Sequence, residues 1–308
     1  MATPAGSPTT VSSISNLVQT AYDQYVRMAL RSIPVMRAIA DVKPVQQAMP
    51  GSSVVFSIYS DLSAATSTLT ETSDVSSIAL GNPSQVTVTL QEYGSAVTTT
   101  KKLSLTSFND VDSALADIIA YNAADSIDSI VASVLTGGTN VIYAGTATTR
   151  ATISSTMTIS VADIREAVTQ LRSNKALPRI GELYAAYLHP RQSADLRAES
   201  GTGGFQELTK YVERTPFVAG AVGVIEGAFV VETPRVPSVS STVTVYQGVV
   251  AGREALAEAM AQDISTVIGP EIDALRRFRT IGWYYMGGFA RLREAALYRI
   301  ESATSISA

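Results

Sequence analysis

The sequence predicts an α+β fold, and three observations support that class. Val54–Ile58 and Val86–Leu90 alternate apolar and polar residues with period two, the mark of half-buried strands. Asn109 to Leu135 carries one apolar stripe at helical spacing, over a length far beyond the ordinary ~11 residues of a globular helix. Strand-like and helix-like stretches then follow one another to the C-terminus without an internal repeat or a clean linker.

Residues 1–13 are rich in Pro, Gly, Ser and Thr and read as an unstructured arm. Ile14 to Arg31 places Ile14, Leu17, Val18, Ala21, Tyr25 and Met28 on one helical face, and Pro34 closes that helix. Gly51 to Lys102 is dominated by Ser and Thr. Its two alternating runs flank a polar stretch, Asp61 to Pro83, which has no helical stripe. The segment reads as a long β-hairpin, and a lone hairpin buries too little apolar area to offset its ordering entropy. Either the rest of the chain or another copy of it must supply the missing surface.

The helix opened by Asn109 or Asp110 shows Val111, Leu115, Ile118, Ile119, Asn122, Ile127, Ile130, Val131 and Val134 on its stripe, and Gly137-Gly138 stops it. At 1.5 Å rise per residue it is ~40 Å long, the length of a spine laid across a sheet. Val141 to Thr158 reads as short strands and turns. Ser160-Val161-Ala162-Asp163 resembles a capping box with Asp in place of Glu, opening a helix to about Asn174. Leu183 to His189 reads as a strand, with Pro190 as the first residue of a short helix to Ala198. Gly201 to Gly204 reads as a flexible loop. Phe229–Thr233 and Val243–Tyr246 read as core strands, and Arg253 to Ala261 as a short helix.

Composition narrows the function. The chain is 46% hydrophobic and only 16% charged, so it is globular and much of its surface is Ser, Thr, Gln and Asn. A net charge of −4 argues against a dedicated nucleic-acid binder, which needs a basic stripe. No Cys is present, which removes disulfides, thiolate nucleophiles and Cys-ligated metal. No signal peptide, sequon or run of ~20 apolar residues is visible, so a soluble intracellular product is expected.

Chemistry is equally scarce. His189 is the only His and has no partner at a triad or metal-ligand spacing. Gly201-Thr202-Gly203-Gly204 lacks the Gly-Lys-Ser/Thr ending of a phosphate loop. Glu226, Glu232, Glu254 and Glu258 are scattered. Arg276, Arg277 and Arg279 form the densest basic cluster, read as a solvated strand edge or as intersubunit ion pairs ahead of a phosphate site. No enzyme activity, cofactor or metal is expected.

The segment Thr280 to Ser302 holds the only Trp, in a Trp-Tyr-Tyr cluster, followed by Gly287-Gly288. Together with Tyr187-Leu188-His189-Pro190-Arg191-Gln192, Glu213-Arg214-Thr215-Pro216-Phe217, Tyr246 to Gly252 and Phe278 to Tyr285, it resembles the major capsid proteins of tailed bacteriophages. The branch it resembles most is that of the podovirus N-four. The order of these motifs along nearly the whole chain carries the resemblance more than any single one.

The resemblance implies the Hong Kong-type (HK-ninety-seven-like) capsid fold. Residues 1–45 would be an N-terminal arm and 46–104 an extended loop lying over a neighbouring subunit. Residues 105–175 and 263–308 would form a peripheral domain with the spine helix at 109–135, and 176–262 an axial domain. The closing segment would return as long strands beneath the spine helix. Ile118, Ile119, Ile130, Trp283, Tyr285 and Phe289 are then the candidate core of the peripheral domain. Arg276, Arg277, Arg279, Arg291 and Arg293 are candidate intersubunit contacts. The implied function is self-assembly through hexamers and pentamers into an icosahedral shell enclosing double-stranded DNA, as a virion capsid assembled in the host bacterial cytoplasm. Implied partners are further copies of the chain, possible separate scaffolding, portal or decoration proteins, and weak non-specific contact with packaged DNA, with no membrane. Some members cross-link subunits through a loop Lys and an Asn. Residues 64–79 hold no Lys, and Lys101 and Lys102 lie only at the base of the loop, so no such cross-link is expected. Residues 1–45 read as too short for a fused scaffolding segment, so scaffolding by a separate protein, or none, is expected. The alternatives are an encapsulin-like compartment shell, a surface-layer protein or adhesin, and a hydrolase dependent on His189.

Overall fold

A computed structural model describes residues 35–44, 53–59, 62–66, 68–69, 71–72, 74–75, 77–106, 111–200, 223–271 and 273–306. The expected helix at Ile14 to Arg31, the capping residues Asn109 and Asp110, the loop at 201–204 and the motif at 213–217 lie outside the described residues.

Two larger sheets and one hairpin carry the strands. The hairpin pairs β2 (Ser53–Ile58) with β3 (Ser84–Thr89). A four-stranded sheet runs β1 (Ala40–Pro44), β11 (Leu256–Ile268), β12 (Phe278–Arg291), β4 (Gln91–Thr100). Its β1 edge is parallel and its other pairings antiparallel. A seven-stranded sheet runs β5 (Val141–Tyr143), β13 (Leu297–Ser302), β10 (Thr244–Ala251), β6 (Tyr184–Leu188), β8 (Ala228–Glu232), β7 (Val224–Ile225). Strand β9 (Ser238–Ser240) pairs with β10 off that path. Strand β6 is buried at every position, as its apolar sequence Tyr-Ala-Ala-Tyr-Leu requires of an interior strand.

Four helices complete the described fold: α1 (Lys101–Thr106), α2 (Val111–Thr136), α3 (Val161–Ser173) and α4 (Pro190–Ala198). In α3, Ser160 Oγ accepts from the Asp163 amide while Asp163 Oδ2 accepts from the Ser160 amide, so the reciprocal cap read from sequence forms with the shorter acid. Val161, Ile164, Ala167, Val168 and Leu171 make its buried face.

Helix α2 joins both sheets. Ile119, Ala123 and Ile127 from its first half share a core with Ile281, Trp283 and Tyr285 of β12. Val131, Ala132 and Leu135 from its second half belong to the main core, with Tyr184, Val249 and Ile300 of the seven-stranded sheet. The steps of four between Ile119, Ala123, Ile127, Val131 and Leu135 keep these residues on one side of the helix. Asp117–Thr136 is long and apolar enough to cross a membrane by length and composition, contrary to the expectation of no such run. In this fold its apolar side covers the sheets.

Several expectations are corrected. Ile118 is 42% exposed, because it is one step (~100°) round the helix from the buried Ile119. Ile130 and Phe289 are half-buried and pack against the α2–β12 core from its rim. Arg253 to Ala261 is not a helix: a turn leads directly into β11, whose Leu-Ala-Glu-Ala-Met composition favours helix until ladder partners on both sides override it. Strand β11 spans the expected boundary at 262/263 as one strand, with its register against β12 shifting between Met260 and Gln262 and again between Gln262 and Ser265. The last strand, β13, does not lie beneath α2 in the four-stranded sheet; it joins β10 and β5 in the larger one. Strand β1, from the expected arm, and β4, from the expected loop, are both members of the four-stranded sheet.

Candidate functional site

Among the described residues, no cluster of His, Asp and Glu could hold a metal. His189 caps α4: its Nδ1 accepts the Arg191 amide at 3.1 Å, and Gln192 Oε1 accepts the His189 amide at 3.2 Å. Its ring lies against Tyr246, with centroids 4.4 Å apart. Burial, then the nearby Arg191 charge, lowers its pKa, which suits a ring nitrogen that must stay an acceptor. This His positions a helix; no nucleophile or acid partner faces it in these contacts.

Ionic groups are instead spent on holding the frame. Glu258, fully buried on β11, accepts from Arg37 at 2.6 Å and from the Tyr285 hydroxyl at 2.9 Å. Arg37 also reaches Asp263 at 3.0 Å and lies 5.5 Å from the centre of the Tyr285 ring. Burial opposes the charge on Arg37, but its bonds to Glu258 and Asp263 outweigh burial and hold its pKa above the ordinary guanidinium value. Burial and the Glu258 carboxylate push the Tyr285 phenol up. The segment at 35–37 is also held by α2: the amides of Val35, Met36 and Arg37 donate to Asp128. Burial raises the Asp128 pKa, and those three amides and the Arg235 charge only partly offset it. Arg235 bridges the segment after β8 to α2, contacting Asp125 at 2.5 Å and the Tyr121 hydroxyl at 2.6 Å.

The C-terminal end of α2 has no basic residue in its last turn. Cations arrive from elsewhere: Arg291 donates to the Val134 carbonyl at 2.9 Å, and Arg299 to the carbonyls of Thr136 and Gly138. They satisfy orphan carbonyls and complement the helix dipole. Arg299 and Arg150 also pair with the buried Glu301, at 2.7 and 2.5 Å. Of the five candidate intersubunit arginines, Arg291 pairs with Glu294 and Arg293 with Glu254, so both are engaged within the chain. Trp283 is buried, and its indole Nε1 donates to Asn122 at 2.9 Å.

Two regions are not absorbed by this frame. At one end of the four-stranded sheet, the turn between β11 and β12 stands beside α1. Asp273 and Arg276 there have left-handed backbones (φ 91° and 51°). The Asp273 carbonyl accepts the Arg276 amide at 2.8 Å, and its carboxylate pairs with Arg277 at 2.5 Å. Thr99, Lys101, Glu271, Arg276, Arg277 and Arg279 line a cleft of about 150 Å³ at this tip. Leu103, Leu105 and Leu275 are exposed around it. The second region is the hairpin and its loop, where Leu62, Leu69, Val75, Ile78 and Leu80 are all exposed. The base of the hairpin crosses the sheet at Gly288, where any Cβ would collide with the Thr89 backbone. That close approach is what the Gly287-Gly288 pair permits.

The core candidates are thus brought together around Trp283, with Ile118 excluded, while the arginine candidates separate into the exposed tip, where Arg277 pairs with Asp273, and the pair Arg291 and Arg293 bound to Glu294 and Glu254. Sequence reasoning missed Glu258, Asp128 and Arg37. The available signal for Glu258 was a lone acid between Leu256 and Met260 in strand alternation.

The model of a family described as phage capsid protein matches residues 9–306. Among solved structures, the capsid of Ralstonia phage GP4 is similar with 16% identity and a TM-score of 0.76, covering 98% of this chain and 100% of that one. The capsid of cyanophage P-SCSP1u matches with 18% identity, a TM-score of 0.73 and 94% of each chain. The acid-stable capsid of Helicobacter pylori bacteriophage KHP30 matches with 17% identity and a TM-score of 0.73, covering 96% of this chain and 98% of that one. Likeness at these identities establishes the fold. No curated protein matches the sequence.

Proposed function

The chain belongs to the phage capsid protein family, and from that premise we propose that its copies assemble through hexamers and pentamers into an icosahedral shell around a double-stranded DNA genome. The observation that carries the assembly step is the hairpin loop, whose five large apolar side chains are mostly exposed among the described residues. Exposed apolar area concentrated on one protruding segment is the property of a surface completed by a partner. Each overlap needs only modest affinity, because closure of a symmetric shell multiplies weak contacts.

The sheet memberships support a revised division of the subunit within the Hong Kong-type plan. The four-stranded sheet with α2 would be the peripheral unit, the seven-stranded sheet with α3 and α4 the axial unit, and residues 53–89 the extended loop. Affinity to the N-four-like branch, assembly in the bacterial cytoplasm, separate scaffolding or portal proteins and weak DNA contact belong to the same reading. Family membership favours a genome-enclosing capsid over an encapsulin-like compartment.

Negative-stain electron microscopy of the purified protein tests the proposal. Closed uniform particles are the expected result. A monodisperse monomer under all conditions of salt, pH and crowding would overturn it.

A further inference from the structure

Asp128, fully buried on α2, is approached by donors from two directions. On one side it accepts the amides of Val35, Met36 and Arg37, at 3.2, 2.6 and 3.0 Å. Val35 is the N-cap of a single 3-10 turn, Met36–Ile39, and has no side-chain oxygen to cap it. The Asp128 carboxylate serves as that cap from a distant part of the chain. On the other side stands Arg235, whose Nη1 lies 3.9 Å from Asp128 Oδ2. That is about 1 Å beyond a charge-assisted hydrogen bond. The Arg235 side chain is only 8% exposed, and among the described residues its Nη1 is buried without a hydrogen-bond partner. Leaving part of a buried guanidinium unanswered is costly, so this nitrogen needs an explanation.

Position, not lone-pair capacity, keeps Asp128 and Arg235 apart. Tyr121, Asp125 and Asp128 follow at steps of four and three, on one side of α2. Arg235 is held on the first two, through Nε on Asp125 and Nη2 on the Tyr121 hydroxyl. Its backbone is tied to the seven-stranded sheet: its amide donates to Thr233 Oγ1, and the Thr233 amide donates to the Leu188 carbonyl of β6. The Asp128 carboxylate is drawn the other way, onto three amides. Closing the gap to Arg235 would move it off them.

We infer that Asp128 is a two-position carboxylate, which caps residues 35–37 in one position and pairs with Arg235 Nη1 in the other. Opening of the 35–37 turn is thereby coupled to the grip of the seven-stranded sheet on α2. The opening is local, because Arg179 holds the carbonyls of Ala38 and Ala40 and the Asp41 carboxylate independently of Asp128. This device goes beyond the shell reading. It is measured on unassembled subunits, so neither claim stands or falls with the other.

The test is hydrogen exchange of the amides at 35–37 in the full chain, followed by mass spectrometry near neutral pH. The Arg235 charge stabilises the opened position, so removing it should hold the turn shut. Arg235→Met should therefore slow exchange at 35–37 about threefold or more, within the range of coupling between contacting residues. A plain structural brace predicts the opposite sign, because its loss would loosen the turn. Asp128→Asn weakens the cap and removes the charge that Arg235 attracts. It should speed exchange at 35–37, and in that background Arg235→Met should change nothing further. Arg235→Gln, which keeps a donor for Asp125 or Tyr121, replaces the Met variant if urea unfolding shows that the latter has lost its cooperative transition. Faster or unchanged exchange at 35–37 in a folded Arg235 variant would overturn the inference. So would a slowing that survives in the Asp128→Asn background, or an Asp128→Asn chain that exchanges like wild type.

Discussion

The α2–β12 core and the β2–β3 hairpin come from the same chain but satisfy their interactions in opposite ways. Around Trp283 nearly every polar group is answered inside the subunit: the indole by Asn122, the Tyr285 phenol by Glu258, and Glu258 by Arg37. On the loop between β2 and β3, large apolar side chains stand in solvent, and Leu69 is 77% exposed. On the proposed shell reading, the contrast separates two jobs, one element that makes the subunit fold and one that a neighbour would complete. A substitution in the first should therefore act on folding, and in the second on association alone.

Truncation before Thr280 offers the largest expected effect. It removes most of β12 and all of β13, and so breaks both sheets at once. The product should lack a cooperative unfolding transition by circular dichroism, whereas replacing residues 62–80 with a short Gly/Ser linker should keep that transition and lose particles. If the truncated chain melts cooperatively, the division of labour is wrong.

Single substitutions sharpen the point. Trp283→Ala should cost about 3–5 kcal/mol in urea unfolding, the range for deleting a buried aromatic side chain. Glu258→Ala leaves Arg37 and the Tyr285 hydroxyl facing a dry gap. Breaking a buried pair costs about 3–5 kcal/mol, and the partial exposure of Arg37 puts this one at the lower end. It should also speed proteolysis within residues 35–44, because Glu258 is one of two buried anchors for that segment, with Asp128. An unchanged cleavage rate would leave Asp128 as the sufficient anchor.

How much of this was legible in the sequence depended on the range of the cause. Helix α2, the α3 cap and the Pro190 start follow from local spacing and local hydrogen bonding, and they form where the residues predict them. The period-two runs likewise become β2 and β3. Strand β11 was hidden because Ala and Glu carry a helical preference that only β1 and β12 overrule, partners distant in sequence. Ile118 looked like part of the stripe until the sheet below α2 fixed which side of the helix is covered. The ionic node is a three-body arrangement of Arg37, Glu258 and Tyr285, and no pairwise spacing announces it.

A smaller effect tests the frame through pH. The folded pKa of His189 is lowered by burial and Arg191, so the fold favours the neutral ring. Its contribution is complete above the unfolded pKa of about 6.5 and is lost as pH falls through the lower folded value. Protonation removes the acceptor for the Arg191 amide, a cap worth about 1 kcal/mol. His189→Asn keeps a capping acceptor that does not titrate. The wild-type unfolding midpoint should therefore fall more steeply than that of the variant as pH drops below about 6.5. Glu301 acts in a lower window. Burial opposes its charge, but Arg150, Gln247 and Arg299 together lower its pKa, so its contribution is lost only as pH falls below the ordinary carboxylate range. Parallel acid limbs for wild type and His189→Asn would remove the titrating role from the cap.

The smallest expected change in subunit stability is at the loop itself. Leu69→Ser with Ile78→Ser alters side chains that already face water, so unfolding of the isolated subunit should stay within about 0.5 kcal/mol of wild type. Assembly should nevertheless suffer, because the same leucine and isoleucine would have been buried by a neighbour, at about 25 cal/mol for each Å² covered. That loss recurs at every copy in a closed shell. Equilibrium unfolding in dilute solution and particle yield at high protein concentration therefore give opposite answers for this one variant. A drop in subunit stability of several kcal/mol would mean that the loop packs on its own core after all, and the contrast between the two regions would collapse.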